Sequence, residues 1–237
     1  MRPVLLLPGT LVPASVFDAV VPLLERTGAF RPVTVDWMRE VPDPTLVRVA
    51  DHVVALTRGG PPVILVGHST GAAIAAMAAV LHPARVAALV LVDGGPNMAA
   101  HASIGPMLEG LRVARSDADW RGYAELNVSS GDPGQREAWI GQMVGYSRSV
   151  GSGPALSILE SQAGEDFLGR PPLEGVPVEL LHGERDPKRR PVDSRAWTQL
   201  FPSACFTLLP GVGHTPPLEA PAEVAAAVER AAARCGG

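Results

Sequence analysis

A serine between two glycines is the feature of this sequence best suited to chemistry. Ser69 stands in the segment Gly67–Gly71 (Gly-His-Ser-Thr-Gly), which follows the apolar run Val63–Val66 and precedes a stretch of small residues, 72–81. A strand, a tight turn and a helix in this order form a strained elbow that holds the serine Oγ clear of the sheet, and the glycines permit close backbone approach. The spacing therefore predicts that Ser69 is a nucleophile.

A histidine near the end of the chain can serve as the base that this serine needs. A serine hydroxyl is a poor nucleophile near neutral pH, so a base must lie within hydrogen-bond reach, and a carboxylate must orient that base. His214 ends the loop Gly211–His214, which follows an apolar strand and precedes the final helix, and it is the predicted base. His68 is expected to shape the elbow. Surface or packing roles are expected for His52, His82 and His101.

The predicted orienting acid lies just beyond a strand end. Asp186 follows the apolar run Val178–Leu181, and the functional groups of open parallel sheets gather beyond the carboxyl ends of the strands. Asp93 occupies a similar position after the run Val86–Val92 and is the alternative. Glu184 is closer to its strand end but lies within the turn itself. We therefore predict that Asp186 orients His214.

Backbone N–H groups are predicted to form an oxyanion hole for the tetrahedral intermediate. The N–H of Thr70, immediately after the nucleophile, is one expected donor. The second is expected from the turn that follows the first strand, from Thr10 or alternatively from Leu11.

Charge and cysteine content narrow the classes of partner. The 237 residues carry a formal net charge of −4, which argues against nucleic acid or an anionic membrane surface as the partner. The basic cluster Lys188–Arg190 is expected to be a solvated loop. The two cysteines form neither a disulfide framework nor a metal-type spacing, and the sequence contains no nucleotide-binding or metal-binding motif. We therefore expect a cytoplasmic protein that uses no metal and no cofactor.

Short runs of Val, Leu and Ile alternate with longer Ala-rich stretches, which is typical of a parallel sheet covered by helices on both faces. Strands are predicted at Val4–Leu7, Pro32–Asp36, Val63–Val66, Val86–Val92, Val178–Leu181 and Cys205–Leu209. Helices are predicted at Ser15–Arg26, Thr45–Thr57, Ser69–Leu81, Asp193–Phe201 and Ala220–Ala233. The pattern predicts an α/β fold with a mostly parallel, six-stranded sheet.

Residues 96–172 depart from this alternation, because Gly, Ser, Pro and helical fragments replace the Val and Ile runs. We interpret them as a helical cap inserted into a core of residues 1–95 and 173–237, within a single domain. The aromatic residues and methionines of the cap are expected to anchor it on the sheet, and some of them to line a pocket. This predicts an apolar roof that selects uncharged or acyl-type small-molecule substrates over substrates with phosphate or several carboxylates.

Four segments together resemble the α/β-hydrolase superfamily: Leu-Pro-Gly-Thr after the first strand, Gly-His-Ser-Thr-Gly at the elbow, His-Gly-Glu-Arg-Asp before the acid and Gly-Val-Gly-His before the last helix. The order Ser69, Asp186, His214 matches that family. The resemblance implies hydrolysis of a carboxylic ester or thioester through an acyl-enzyme intermediate. Two departures are Pro8–Gly9, where many members have His-Gly, and the absence of the two strands that precede the first strand in the full family sheet. We expect a small, N-terminally truncated member.

Two other functions fit the same motifs, because one fold hosts many activities. The first is a biosynthetic tailoring enzyme that uses the triad for cyclisation, a lyase step or acyl transfer. The second is a ligand-binding homologue with a silent triad. The sequence predicts neither the acyl group, the leaving group nor the oligomeric state.

Overall fold

The computed structural model of the chain describes residues 1–98, 101, 104–114 and 116–235. The strands in these residues are β1 (Arg2–Leu7), β2 (Phe30–Thr34), β3 (Val63–His68), β4 (Val86–Val92), β5 (Val178–Gly183) and β6 (Cys205–Leu209). They form one six-stranded sheet in the order β2-β1-β3-β4-β5-β6, and every neighbouring pair is parallel. The predicted parallel sheet is confirmed.

The helices of the described residues cover both faces of the sheet, and four of them follow one another along the chain between β4 and β5. Before β5 they are α1 (Val21–Glu25), α2 (Trp37–Glu40), α3 (Leu46–Ala55), α4 (Thr70–Leu81), α5 (Ile104–Val113), α6 (Asp117–Asn127), α7 (Pro133–Val150) and α8 (Ser152–Ala163). After β5 they are α9 (Pro191–Arg195), α10 (Pro216–Glu219) and α11 (Pro221–Ala233). None of these helices combines the length and apolarity of a membrane span. The insertion between β4 and β5 is thus helical where it is described, and the domain limits 96–172 stay a prediction.

Alternation along the strands divides the core into two layers. Leu5 and Leu7 of β1 pack with residues of α3 and α4 on one face. Val4 and Leu6 of the same strand pack with residues of α1 and α11 on the other face. Because successive side chains point to opposite faces, a strand that is buried on both faces must be apolar throughout. This explains the continuous Val, Leu and Ile runs of the sequence.

Two segments predicted as single helices each consist of two shorter elements. Ser15–Arg26 divides into a 3-10 turn at Ala14–Phe17 and the short helix α1, in whose first turn Pro22 lies. Proline has no N–H to continue a helix, but its fixed φ suits a first turn, so a new helix begins there. Asp193–Phe201 likewise divides into α9 and a 3-10 turn, Ala196–Gln199.

The helices between β4 and β5 contain glycines that packing does not require. A Cβ atom added to Gly110, Gly122, Gly141 or Gly145 would meet nothing within 4 Å. These glycines lie inside α5, α6 and α7, where each costs about 1 kcal/mol of helix stability relative to alanine. These helices therefore depend on tertiary packing more than on their own propensity.

Candidate active site

Ser69 lies on a strained turn between β3 and α4. Its backbone has φ 54° and ψ −115°, and its N–H donates to the carbonyl of Val92 at 2.8 Å. A Cβ at Gly71 would collide with the carbonyl oxygen of Leu7, and one at Gly67 would collide with that of Gly71. The glycines are therefore required by the close crossing of helix and strand, which holds the turn in a conformation that few residues adopt.

Ser69, His214 and Asp186 lie in one chain of hydrogen-bonding groups. His214 Nε2 is 3.2 Å from Ser69 Oγ, and His214 Nδ1 is 2.8 Å from Asp186 Oδ2. The side chains of His214 and Asp186 are 1% and 0% exposed. The structure thus brings together the three side chains predicted from β3, the loop after β5 and the loop after β6.

The alternative acids, Asp93 and Glu184, form hydrogen bonds with groups other than His214. Asp93 Oδ1 accepts the N–H of Gly183 at 2.9 Å and is 2.9 Å from His182 Nδ1. Burial raises the pKa of Asp93 to about 8, against the opposing effect of His182. Glu184 accepts the N–H of Gly211 at 2.9 Å. Each of the two carboxyls therefore serves a contact other than His214.

Burial and charge act in opposite directions on the acid and the base. Burial alone would raise the pKa of Asp186, but the positive charge and hydrogen bond of His214 hold it well below its ordinary range. Burial lowers the pKa of His214, with Asp186 opposing and Lys188 reinforcing the decrease. At neutral pH this combination favours an ionised Asp186 beside a neutral His214, which holds its proton on Nδ1 and offers Nε2 as an acceptor.

The predicted oxyanion donors differ in whether their backbone N–H groups are already hydrogen-bonded within the protein. No acceptor among the described residues takes the N–H of Thr10 or of Thr70, and the two side-chain hydroxyls are 2.8 Å apart. The N–H of Leu11 donates to Met38 Sδ at 3.1 Å. Leu11 is therefore already engaged within the protein, which favours Thr10 as the partner of Thr70.

Glu219 is a site residue that our sequence analysis missed. Its carboxylate accepts the N–H of Gly213 at 2.7 Å and that of Thr215 at 2.9 Å. These N–H groups flank His214, so Glu219 clamps the backbone on both sides of the imidazole. It stands in the short helix α10, and no spacing rule distinguishes it from a helix-end acid.

His68 also positions His214 and not only the elbow. Its Nε2 is 2.8 Å from the carbonyl oxygen of His214. Burial, reinforced by the charge of His214, lowers the pKa of His68 to about 3. His68 is therefore neutral at physiological pH and donates its proton to that carbonyl.

A cavity of about 350 Å³ lies among α5, α6 and the loop after β5. Its apolar lining includes Met107, Leu111, Trp120, Tyr123 and Leu126. A much smaller space, about 20 Å³, lies at Ser69 itself and shares Met107 and Tyr123 with the larger cavity. The larger cavity can take the apolar part of a small substrate, whereas the smaller one holds about one water molecule.

Three groups near the site also have the composition of a metal centre. Asp93, His182 and Asp186 offer ligand atoms that lie within 4.8 Å of one another. Both oxygens of Asp186 and both nitrogens of His182 are already engaged by protein groups. The arrangement is thus better described as a buried hydrogen-bond network, in which Asp93 Oδ2 lacks a partner among the described residues.

Comparisons with known proteins agree with this fold. Curated protein sequences gave no match. Similar solved structures include an enol-lactonase from Burkholderia xenovorans LB400, with TM-score 0.86 and 16% identity over 97% of this chain and 90% of that chain. An esterase from Exiguobacterium antarcticum has TM-score 0.85 and 17% identity over 98% of this chain and 92% of that chain. A thermophilic esterase from Thermogutta terrifontis has TM-score 0.78 and 22% identity over 97% and 89%.

At such low identity, these structural similarities show the fold alone. The family assignment comes from the sequence. A family profile described as the alpha/beta hydrolase family matches residues 4–227. This match includes every strand from β2 to β6 and also Ser69, Asp186 and His214. The protein therefore belongs to the alpha/beta hydrolase family.

Proposed function

We propose that this protein is a serine hydrolase that cleaves a carboxylic ester or thioester. The observation that carries the proposal is the continuous chain from Ser69 Oγ through His214 to Asp186, at 3.2 and 2.8 Å. The unpaired N–H groups of Thr10 and Thr70 next to the serine support it, because acyl transfer needs donors for a developing oxyanion. The esterases and the enol-lactonase among the similar structures act on esters or lactones, which supports the same class.

In the proposed mechanism Ser69 Oγ attacks the carbonyl carbon while His214 Nε2 takes the hydroxyl proton. The N–H groups of Thr10 and Thr70 stabilise the resulting oxyanion, and Asp186 stabilises the imidazolium. Collapse of the intermediate expels the alcohol or thiol, which receives the proton from His214. Water then attacks the acyl-enzyme with His214 again as the base, and the acid is released. We propose that residues 96–172 act as the cap over this site.

A fluorophosphonate probe tests the nucleophile directly. We expect covalent labelling of the wild-type chain, located at Ser69 by peptide mass spectrometry, and no labelling of Ser69→Ala. The same variant should lose on the order of 10³-fold or more in kcat on an activated ester, because only the oxyanion hole and binding remain. An unlabelled wild-type protein would indicate a ligand-binding homologue instead. Labelling without ester or thioester turnover would indicate a non-hydrolytic acyl-transfer or tailoring enzyme.

A further inference from the structure

The basic cluster after Asp186 does not form the solvated loop expected from the sequence. Arg189 is only 7% exposed and Lys188 is half-buried, whereas Arg190 is exposed. Asp186 Oδ1 accepts the N–H groups of Lys188 at 2.7 Å and of Arg189 at 3.2 Å. This turn places both side chains against residues of the insertion between β4 and β5. The predicted solvated loop is therefore wrong for Arg189 and only partly right for Lys188.

The side chains of Lys188 and Arg189 make their hydrogen bonds to neutral groups. Lys188 Nζ donates to Asn127 Oδ1 at 2.8 Å and lies 4.8 Å from the ring centre of Tyr123. Arg189 donates to the Asn97 carbonyl at 3.3 Å and to Met98 Sδ at 3.0 Å.

Neither cation forms an ion pair with a carboxylate of the described residues, and the other residues of the chain include no Asp or Glu. Burial lowers the pKa of Lys188 to about 8 and also lowers that of Arg189, while the charge of Asp186 opposes both decreases. The two positive side chains are thus held in a poorly solvated place with no carboxylate in direct contact, which is unfavourable unless a further anion binds there.

Both cations line the space that contains the nucleophile. Lys188 and Arg189 border the small cavity at Ser69 and Thr70, and Lys188 also borders the large apolar cavity. Asp119, an acid on the wall of the large cavity, accepts hydrogen bonds from the N–H and Oγ of Ser116 at 2.8 Å each. The site therefore combines an apolar cavity with two cations near Ser69 whose side chains form no ion pair.

This inference rests on the ester hydrolase proposed above, whose substrate would supply the anion that binds these cations. We propose that Lys188 and Arg189 bind a carboxylate of the substrate, so that the preferred substrate is a small ester or lactone with one carboxylate and an otherwise apolar body. A single carboxylate suits the end of the large cavity that Lys188 borders, because its two oxygens accept the spare N–H groups of Lys188 and need few other donors. This narrows the uncharged or acyl-type substrates that the sequence predicts to those with a single carboxylate.

The test compares matched esters that differ in one charge. The substrates are the monomethyl esters of succinate, glutarate and adipate, each paired with its neutral amide analogue in which a carboxamide replaces the free carboxylate. We expect the best anionic ester to exceed its amide in kcat/KM by on the order of 10- to 100-fold, because hydrogen bonds to charged groups have about that effect. Equal kcat/KM values within every pair would overturn the anion site.

Lys188→Met and Arg189→Met remove one charge each at similar length, and Arg190→Met is the matched control. Arg190 pairs with Asp193 at 3.1 Å, and its side chain is 74% exposed. We expect either of the first two variants to reduce the ratio of anionic to neutral kcat/KM towards one and Arg190→Met to leave it unchanged. Lys188→Met loses the hydrogen bond to Asn127 Oδ1 but also removes a half-buried charge that has no ion pair, so we expect little change in the melting temperature. A ratio that Lys188→Met does not reduce would contradict the proposal.

Binding to Ser69→Ala separates this proposal from the proposed function. Calorimetry measures the affinity of this variant for monomethyl glutarate and for its amide. Tighter binding of the anion, lost in Ser69→Ala/Lys188→Met, would support the anion site even if the wild-type chain cleaves no ester. Cleavage of both substrates with equal binding would support the hydrolase and overturn the anion site.

Discussion

The Asp186 carboxylate contacts both the imidazole of His214 and the backbone of the turn that follows Asp186. Its Oδ2 faces His214 Nδ1 at 2.8 Å, while its Oδ1 accepts two N–H groups of the following turn at 2.7 and 3.2 Å. One side chain thus contacts His214, the proposed base, and also the turn that carries Lys188 and Arg189. Changes at Asp186 should therefore affect the chemical step and the neighbouring pocket together.

Asp186→Asn should lower kcat by as much as roughly 10⁴-fold, because an amide N–H towards His214 favours the wrong imidazole tautomer. Asp93→Asn is the matched control, since Asp93 contacts His182 and Gly183 instead of His214. We expect a much smaller loss of kcat in that variant. Steady-state kinetics on one activated ester measures both. A larger loss from Asp93→Asn than from Asp186→Asn would show that the acid is assigned wrongly.

The pH dependence of kcat/KM should report His214. The base acts only when neutral, and its pKa is lowered from 6.5 by burial, so activity on a neutral ester should fall only as the pH drops below that value. Lys188 disfavours the imidazolium, so Lys188→Met should raise the pKa of His214 and move this decline to higher pH. Arg190→Met should leave it in place. A shift towards lower pH in Lys188→Met would contradict the electrostatic account.

At the scale of elements, the site is assembled by the carboxyl ends of the central strands. Ser69 follows β3 directly, and the loops after β5 and β6 supply Asp186 and His214. A parallel sheet brings these ends to one edge, so the strand pattern predicts that Ser69, His214 and either Asp186 or Asp93 meet there. The chain order of the family that the sequence resembles favours Asp186 over Asp93.

Other features of the site were not predictable from local pattern. A basic triplet usually marks a solvated segment, and only the tertiary fold shows that Arg189 points into the protein. The clamp of Glu219 on the His214 backbone likewise depends on contacts across the loop after β6. Composition and periodicity describe a residue's own segment, whereas these roles depend on what other segments place opposite it.

Gly71→Ala tests whether the close packing of α4 against β1 requires a glycine at this position. Its Cβ would collide with the carbonyl oxygen of Leu7, and overpacking against backbone in a buried element typically costs about 1–3 kcal/mol of unfolding free energy, occasionally more. Gly141→Ala is the control, because its Cβ would meet nothing within 4 Å. Thermal and urea unfolding measure both variants. We expect Gly71→Ala to be destabilised and Gly141→Ala to be neutral or stabilised, and the opposite order would contradict the packing.

At the scale of the whole molecule, the core and the insertion are stabilised differently. Helix α4 is buried along nearly its whole length between the sheet and α3. Helices α5, α6 and α7 each bury only a few side chains and contain the glycines that packing does not require. We therefore expect the insertion to open before the core does.

Hydrogen exchange followed by mass spectrometry should show this order. Peptides from α5–α7 should exchange faster than peptides from β3, β4 and α4, because local opening exposes their amides first. Gly122→Ala with Gly141→Ala should slow exchange in α6 and α7, since each substitution favours the helix by about 1 kcal/mol. Exchange in the sheet should not change. Equal exchange rates in the insertion and the sheet would show that the molecule opens as one cooperative unit.

The space of about 20 Å³ at Ser69 has a consequence for measured affinity. An ester group is larger than one water molecule, so Met98, Met107 and their neighbours must move aside before a substrate reaches the serine. The measured dissociation constant then equals the intrinsic constant divided by the fraction of molecules that are already open. If about 1% are open, binding is roughly 100-fold weaker than the contacts alone would give. Shortening Met107 would then tighten binding without adding any contact.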